Sequence, residues 1–368
     1  IMYTSGTTGA PKGAMLSHGN LFSNLLQGKA WVPGLGDKPE RMLAALPFFH
    51  AYGLTMNVTL AQFIGGELVI LPKPDMSLIM QLMKKHTPTW VPGVPTLYER
   101  IVKAAEDQEI PIKGVRAAFS GASTLPSDTV NKWENYTGGL LVEGYGLTEV
   151  AAAAAVDFVD QSIGTVGPPM GGVTFRINDE GEICIKGDIV FHGYWNNPEA
   201  TAEALEDGWY NTGDLGEIDD DGKLTITGRK KDLIVTAGGK NVSPGPMEDI
   251  LRGHPLISQA MVVGDGKPFV GALITLDPDI LKRWKLDHNI PENRSMDDIA
   301  TDATLRAEVQ DAVNKVNSTV SHAEGIKKFY ILESDLTEDE NELTPTMKVK
   351  RNVVAQRYAS AIEHIYKR

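Results

Sequence analysis

Tyr3-Thr-Ser-Gly-Thr-Thr-Gly-Ala-Pro-Lys-Gly13 is the stretch on which the reading of the chain turns. Three glycines, four hydroxyl residues and one lysine fall within eleven positions. Glycines let successive backbone N–H groups close on an anion, and Ser and Thr hydroxyls add donors. Lys12 supplies a point charge suited to a polyphosphate. No Gly-Lys-Ser/Thr closes the segment, so it is not a Walker loop. Ile1-Met2-Tyr3-Thr4 reads as a strand opening onto this loop, which predicts a phosphate-binding turn at a strand end.

Working outward, short apolar strands alternate with amphipathic helices. Strands are expected at 41–46, 67–71, 89–91, 115–120 and 140–144, with helices at 21–30, 51–64, 76–86, 96–107 and 126–136. Pro95 and Pro126 sit where a first helical turn accepts proline. Such alternation predicts an α/β domain with a doubly wound parallel sheet whose ligands lie at the carboxyl ends of its strands. From Ile163 onward Gly and Pro increase, and Gly181-Glu-Ile-Cys-Ile-Lys-Gly187 alternates with period two, predicting a smaller antiparallel β subdomain. Asp219-Asp-Asp-Gly222 reads as a hairpin turn; it lacks the remaining ligands of a calcium loop. The expected organisation is a large domain over 1–228, divided into α/β (1–162) and β-rich (163–228) parts. A small α+β domain over 229–368 follows. Its helices are expected at 246–252, 277–286, 302–320 and 350–365, and its strands at 258–263, 270–276 and 327–332.

Composition narrows the function. The 368 residues carry 35 Lys+Arg against 48 Asp+Glu, a formal net charge of −13. An acidic surface argues against non-specific nucleic-acid binding but permits a local site for an anionic substrate. Cys184 is the one cysteine, so an intrachain disulfide is excluded, and its place on a period-two strand makes it a core residue. Eight histidines and that cysteine show no zinc spacing. The absence of a Gly-x-Ser-x-Gly elbow disfavours a hydrolase triad. The apolar run Val150–Val156 is far too short to span a bilayer. Because Ile1 stands in the middle of a strand–loop unit, the chain is expected to be the C-terminal portion of a longer protein with an exposed apolar surface on its first domain.

Further segments follow the first loop in a fixed order. They are Pro47-Phe-Phe-His-Ala-Tyr-Gly53, Ser120-Gly-Ala-Ser123, Tyr145-Gly-Leu-Thr-Glu149, Gly208-Trp-Tyr-Asn-Thr-Gly-Asp-Leu-Gly216, Gly228-Arg-Lys-Lys-Asp-Leu-Ile234 and Leu343-Thr-Pro-Thr-Met-Lys-Val-Lys-Arg351. Together with the loop they resemble the ordered motifs of the adenylate-forming superfamily of acyl-CoA synthetases, luciferases and peptide-synthetase adenylation domains. Thr236-Ala-Gly-Gly-Lys-Asn-Val-Ser-Pro244 and Leu343-Thr-Pro-Thr-Met-Lys348 are most similar to bacterial long-chain fatty-acid–CoA ligases.

The resemblance implies ATP-dependent activation of a fatty acid to an acyl-adenylate with pyrophosphate release, then thioester formation with CoA. It implies ATP, Mg2+ and CoA as the small molecules used. Thr4, Ser5, Gly6, Thr7, Thr8, Gly9 and Lys12 would hold phosphates, and Gly121 and Ala122 would flank adenine. Tyr145 would stack on adenine, Thr148 would donate to the α-phosphate, and Glu149 would anchor magnesium. Asp214 would accept from the ribose hydroxyls and Arg229 would reach the same ribose; taken alone, Asp214 reads as a turn-capping residue after Gly213. His50 would gate the acyl pocket, with Gly144 on the pocket wall. Lys231 would be the hinge between two poses of the small domain, and Gly238, Gly239 and Lys240 would line the pantetheine entrance; a plain tight turn is the alternative for the glycines. Lys348 would bridge the carboxylate and the α-phosphate during adenylation. The family commonly has Gly before that lysine, where this chain has Met347. Lys350 and Arg351 read as a solvated basic run. The partners expected are fatty acid, ATP and CoA, with no nucleic acid, in the cytoplasm or peripheral to a membrane through the hydrophobic substrate. No oligomeric state follows from the sequence. The competing readings are a fatty acyl-AMP ligase, an aryl-CoA ligase, or a nucleotide-binding fragment without full activity.

Overall fold

The computed structural model describes residues 1–4, 10–72, 75–158, 162, 164–344 and 347–367. Two compact units emerge, one of Ile1–Thr4 with Pro11–Ile226 and the other containing Thr227–Arg368.

In the first unit β1 (Met2–Tyr3) pairs antiparallel with β2 (Gly13–Ala14). The main sheet contains β3 (Arg41–Ala44), β4 (Glu67–Ile70), β5 (Trp90–Gly93), β6 (Ala117–Ser120), β7 (Leu140–Tyr145) and β8 (Ala155–Val156), in the order β4-β3-β5-β6-β7-β8. The first five are parallel and β8 is antiparallel to β7. The chain runs from β3 outward to β4, then returns to the other side of β3 for β5, so the sheet is doubly wound with its switch point between β3 and β5.

Alternation along these strands explains why both faces are covered. Met42, Trp90, Ala117, Phe119 and Val142 enter one apolar core. Their neighbours Leu43, Val91, Ala118 and Leu141 enter another. Successive strand side chains point to opposite faces, so a parallel sheet buried on both sides needs apolar residues at consecutive positions. The second core is closed by the helix Pro95–Asp107, whose buried Tyr98, Ile101, Val102 and Ala105 follow the spacing of one helical face. Trp133, from the helix Ser127–Thr137, meets Tyr98 edge-on at 5.0 Å.

The helix predicted over 51–64 forms, but its middle, Leu54–Thr59, is π-helical. Thr59 Oγ1 donates to the carbonyls of Leu54 and Thr55 at 3.2 and 3.0 Å. Thr55 Oγ1 donates to Ala151 O at 2.8 Å. Side-chain bonds to backbone of this kind compete with the regular ladder, and no periodicity in the sequence marks them.

β9 (Val173–Ile177), β10 (Glu182–Gly187), β11 (Leu205–Glu206), β12 (Trp209–Ile218) and β13 (Leu224–Arg229) form the second sheet, in which β9, β10, β12 and β11 pair antiparallel and β13 joins β12. Cys184 is buried on β10 as expected, but alternation is not the reason: Ile183 and Ile185 are buried too and enter the apolar core, while Cys184 Sγ lies 3.2 Å from Asn211 Oδ1. Asp219 Oδ1 accepts from the N–H groups of Asp221 and Lys223 at 3.1 and 2.8 Å, so this carboxylate serves its own turn.

In the second unit β14 (Ile234–Val235) pairs with β15 (Asn241–Val242), and β16 (Ile257–Val263), β17 (Val270–Leu276) and β18 (Ile326–Ile331) form a sheet in that order. β16 and β17 are antiparallel, β17 and β18 parallel. Two expectations for this unit are corrected. The helix predicted over 350–365 breaks into Arg351–Arg357 and Ala359–Tyr366. Tyr358, at φ −102° and ψ 27°, leaves the helical path, and its hydroxyl donates to buried Glu342 at 2.8 Å. Arg351 is not solvated: Nη1 bonds Glu248 Oε1 at 2.5 Å and Nη2 donates to Val262 O at 2.6 Å. An Arg fork that reaches a carboxylate on the helix Pro244–Arg252 and a carbonyl of β16 outcompetes water here.

Gly146 holds the turn after β7, where a Cβ would stand 1.4 Å from Ala152 O. Gly146→Ala is expected to destabilise the first unit by about 3 kcal/mol or more, an overpacking effect without room to relax. That corresponds to a fall in Tm of roughly 6–12 °C for a domain of this size. Gly28, inside the helix His18–Trp31, has nothing within 4 Å of such a Cβ. Gly28→Ala is expected to raise stability by about 0.5–1 kcal/mol. Thermal unfolding of the two variants beside the parent checks both signs.

Candidate functional site

The carboxyl ends of β3, β6 and β7 carry three of the sequence-predicted segments. After β3 come Pro47 to His50, after β6 come Gly121 and Ala122, and after β7 come Gly146 to Glu149. At this edge the strands run out and their terminal polar groups are turned toward ligands.

The first loop is pinned at its base. Thr4 N–H donates to Lys12 O at 2.9 Å and Lys12 N–H to Thr4 Oγ1 at 3.0 Å. Ser5, Gly6, Thr7, Thr8 and Gly9 lie outside the described residues. The Lys12 ammonium rests over the Tyr194 ring, 4.8 Å from its centroid. Tyr194 Oη in turn donates to Glu149 Oε1 at 2.7 Å. Burial first, and the Glu149 carboxylate next, raise the Tyr194 hydroxyl well above its ordinary pKa. The same two causes raise the Tyr210 hydroxyl well above its ordinary pKa. The edge of Phe191 meets both Tyr194 and Tyr210, at 4.8 and 5.3 Å.

Tyr145 and Asp214 meet directly. Tyr145 Oη donates to Asp214 Oδ2 at 2.7 Å, and both residues are buried. Asp214 sits within β12, and its N–H bonds Thr212 Oγ1 at 3.0 Å. Its place is therefore a strand facing β7 chemistry, not the turn cap that its isolated neighbourhood suggested. Gly121 backs onto the Tyr52 ring, and Tyr52 Oη donates to Phe119 O. Ala122 adopts a left-handed φ of 72°. The Ser120 hydroxyl just before them is buried with no hydrogen-bond partner among the described residues. Gly144 gives its Cβ space to the Phe119 ring. His50 caps the next helix, accepting from Tyr52 N–H at Nδ1 over 3.2 Å. Thr148 opens a short 3-10 turn that also carries Glu149.

The residues fit the groups implied. Glu149 is 7% exposed and no three His, Cys, Asp or Glu gather into a metal cluster among the described residues. A single anchored carboxylate is the donor set expected where magnesium completes its shell with water and substrate phosphates. The buried Ser120 hydroxyl, without a partner among the described residues, is a polar group suited to a nucleotide base.

In the second unit Arg229 ends β13, and Lys231 lies exposed in the 3-10 turn Lys230–Asp232. Gly238, Gly239 and Lys240 lie in the turn between β14 and β15. Gly239 has φ 77° and donates to Thr236 O at 2.8 Å, while Lys240 Nζ is 3.2 Å from Glu324 Oε1. A Ser321 hydroxyl bond leads the effects that lower the Glu324 pKa. Lys348 lies in a tight return in which Thr344 N–H donates to Lys348 O at 2.8 Å and Lys348 N–H to Thr344 Oγ1 at 3.1 Å. Met347 has φ 62° there.

A sequence profile described as AMP-binding enzyme matches residues 1–195, and one described as AMP-binding enzyme C-terminal domain matches residues 231–368. The chain belongs to the AMP-binding enzyme family. The chain is 42% identical over 416 aligned residues to the long-chain-fatty-acid–CoA ligase FadD15 of Mycobacterium bovis, covering all of itself and 69% of that protein. It is 39% identical over 300 residues to the long-chain-fatty-acid–CoA ligase of Bacillus subtilis, with 78% of this chain and 53% of that protein covered. Its fold superposes on ATP-bound MatB from Rhodopseudomonas palustris with a TM-score of 0.76 and 31% identity, over all of this chain and 68% of the other.

Within this AMP-binding enzyme, Tyr194 and Tyr210 are the site residues that sequence reading missed. Nothing in the segment of Tyr194 marks it, and Tyr210, although inside the quoted segment 208–216, has no role assigned there. The folded contacts of Tyr194 with Lys12 and Glu149, and the influence of Glu149 on Tyr210, single them out. Met347 gains a physical meaning from the structure: a left-handed position is where glycine is at ease and a side chain is strained. Met347→Val, which puts a β-branched residue there, is expected to cost about 1–2 kcal/mol. Met347→Gly is expected to be neutral or stabilising by up to about 1 kcal/mol. Urea unfolding of both variants tests the pair.

Proposed function

We propose that this chain carries the catalytic machinery of an ATP-dependent long-chain fatty-acid–CoA ligase. The observation that carries the reading is the convergence at one sheet edge of Lys12, Glu149, Tyr145 and Asp214 in a family whose relatives are named for that activity. A carboxylate is a poor acyl donor because its oxygen is a poor leaving group. In the first step a carboxylate oxygen attacks the α-phosphorus of ATP, the bond to the β-phosphate breaks, and pyrophosphate leaves. In the second step the CoA sulfur attacks the acyl carbon, the acyl–oxygen bond breaks, AMP leaves and the thiol proton is released.

Two anions must meet in the first step, so cations and aligned donors dominate its barrier. Lys12 serves the phosphate end, and Glu149 would hold Mg2+, which would supply neutralisation of phosphate charge. Asp214 accepts from the ribose, oriented by Tyr145; the buried Tyr145 ring also bounds the adenine side. Thr148 donates to the α-phosphate. Lys348 bridges carboxylate and α-phosphate, Arg229 reaches the ribose, and Lys231 is the hinge residue. His50 and Gly144 border the acyl path, and Gly238, Gly239 and Lys240 receive pantetheine. No helix among the described residues is long and apolar enough to cross a membrane; the hydrophobic substrate is the proposed link to a membrane surface.

ATP–pyrophosphate exchange with palmitate tests the reading. Exchange that requires palmitate and falls about 10²–10³-fold or more in Lys348→Ala is the expected result. Exchange indifferent to palmitate, or to Lys348, would overturn it.

A further inference from the structure

Tyr194 touches both charged groups that the proposed reaction assigns to the phosphate end of ATP. Lys12 Nζ lies 4.8 Å from its ring centroid, and its hydroxyl donates to Glu149 Oε1 at 2.7 Å. The surrounding backbone is stitched to the same two places. Trp195 N–H donates to Gly13 O at 2.7 Å, Met15 N–H to Gly193 O at 2.9 Å, and His192 N–H to Met15 O at 2.9 Å. Phe191 N–H donates to Glu149 O at 2.8 Å. Tyr194 N–H is itself held by Thr201 Oγ1 at 2.9 Å, and the Phe191 ring pins its face. The segment 191–195 therefore ties the strand after the first loop to the turn after β7.

We propose that Tyr194 is a positioning residue that fixes Lys12 and Glu149 relative to each other and so sets the affinity of this chain for a magnesium-bound nucleoside triphosphate. The inference rests on the roles proposed above for Lys12 and Glu149. A carboxylate with one oxygen engaged by a phenol presents the other in a fixed direction; without that donor it rotates freely about its Cγ–Cδ bond. Partners that orient a metal-holding group commonly change metal affinity by about 10–100-fold when lost. The ring does separate work: an ammonium over an aromatic face is held by the ring quadrupole, whether or not the hydroxyl is present.

The two contacts are separable by mutation. Tyr194→Phe keeps the ring under Lys12 and removes the donor to Glu149; Tyr194→Leu removes both. Calorimetric titration with ATP, across a magnesium series and with chelator, reads the effect without turnover. Tyr194→Phe is expected to need roughly tenfold more Mg2+ for half-maximal enhancement of ATP binding, with its magnesium-free ATP affinity within about twofold of the parent. Tyr194→Leu is expected to weaken magnesium-free binding by about threefold or more as well. In the exchange assay, Tyr194→Phe should regain its rate at high Mg2+ with the palmitate KM unchanged.

An unaltered magnesium requirement in Tyr194→Phe overturns the proposal. So does a loss that is equal at every magnesium concentration and tracks a lowered Tm, which marks a purely structural role. A parent chain that binds magnesium–ATP but shows no palmitate-dependent exchange overturns the fatty-acid reading alone, since the Tyr194 comparison is still read from binding. A parent that binds no magnesium–ATP overturns both.

Discussion

A parallel sheet buried on both faces leaves polar chemistry few places to go, and the first unit is arranged around that constraint. Consecutive residues of β3, β5, β6 and β7 feed two opposite apolar cores. Neither face can admit a charged ligand without losing that burial. What is left is the strand ends, where the chain must turn and its backbone groups need partners. His50, Gly121, Ala122, Thr148 and Glu149 all fall in the turns that leave the carboxyl ends. Their clustering follows from the sheet, although they are scattered over a hundred positions in sequence.

Two carboxylates near that edge each receive a phenol donor. Glu149 and Asp214 are both buried carboxylates, and each receives a tyrosine hydroxyl at 2.7 Å. A buried carboxylate is costly unless hydrogen-bonded. A phenol O–H satisfies one oxygen of each carboxylate. The π-helical segment 54–59 joins the same network, because Thr55 bonds the carbonyl of Ala151 two residues beyond Glu149.

The sequence made much of this legible, for identifiable reasons. The limits expected for β17, Val270–Leu276, are the observed ones, since a seven-residue run interrupted only by Gly271 and Thr275 lies between a Gly-containing turn and Asp-Pro. The doubly wound sheet followed from strand–helix alternation, and the motif residues followed from a resemblance whose segments keep their order. The unreadable parts depend on distant partners. Arg351 sits in a basic run, and only the fold brings Glu248 to it. The break at Tyr358 depends on Glu342, and the importance of Tyr194 depends on Lys12 and Glu149, 182 and 45 positions away respectively by the numbering. Met347 is the converse case: its departure from the usual glycine was visible, but the strain it carries became visible only with φ.

The central claim is that the groups at this sheet edge activate a carboxylic acid through its adenylate. Mass spectrometry of the products from palmitate, ATP and Mg2+ tests it most directly, first without CoA and then after CoA is added. The account predicts palmitoyl-AMP and pyrophosphate in the first stage, and palmitoyl-CoA with AMP in the second. Formation of ADP and phosphate instead, or of thioester without any adenylate precursor, would contradict it.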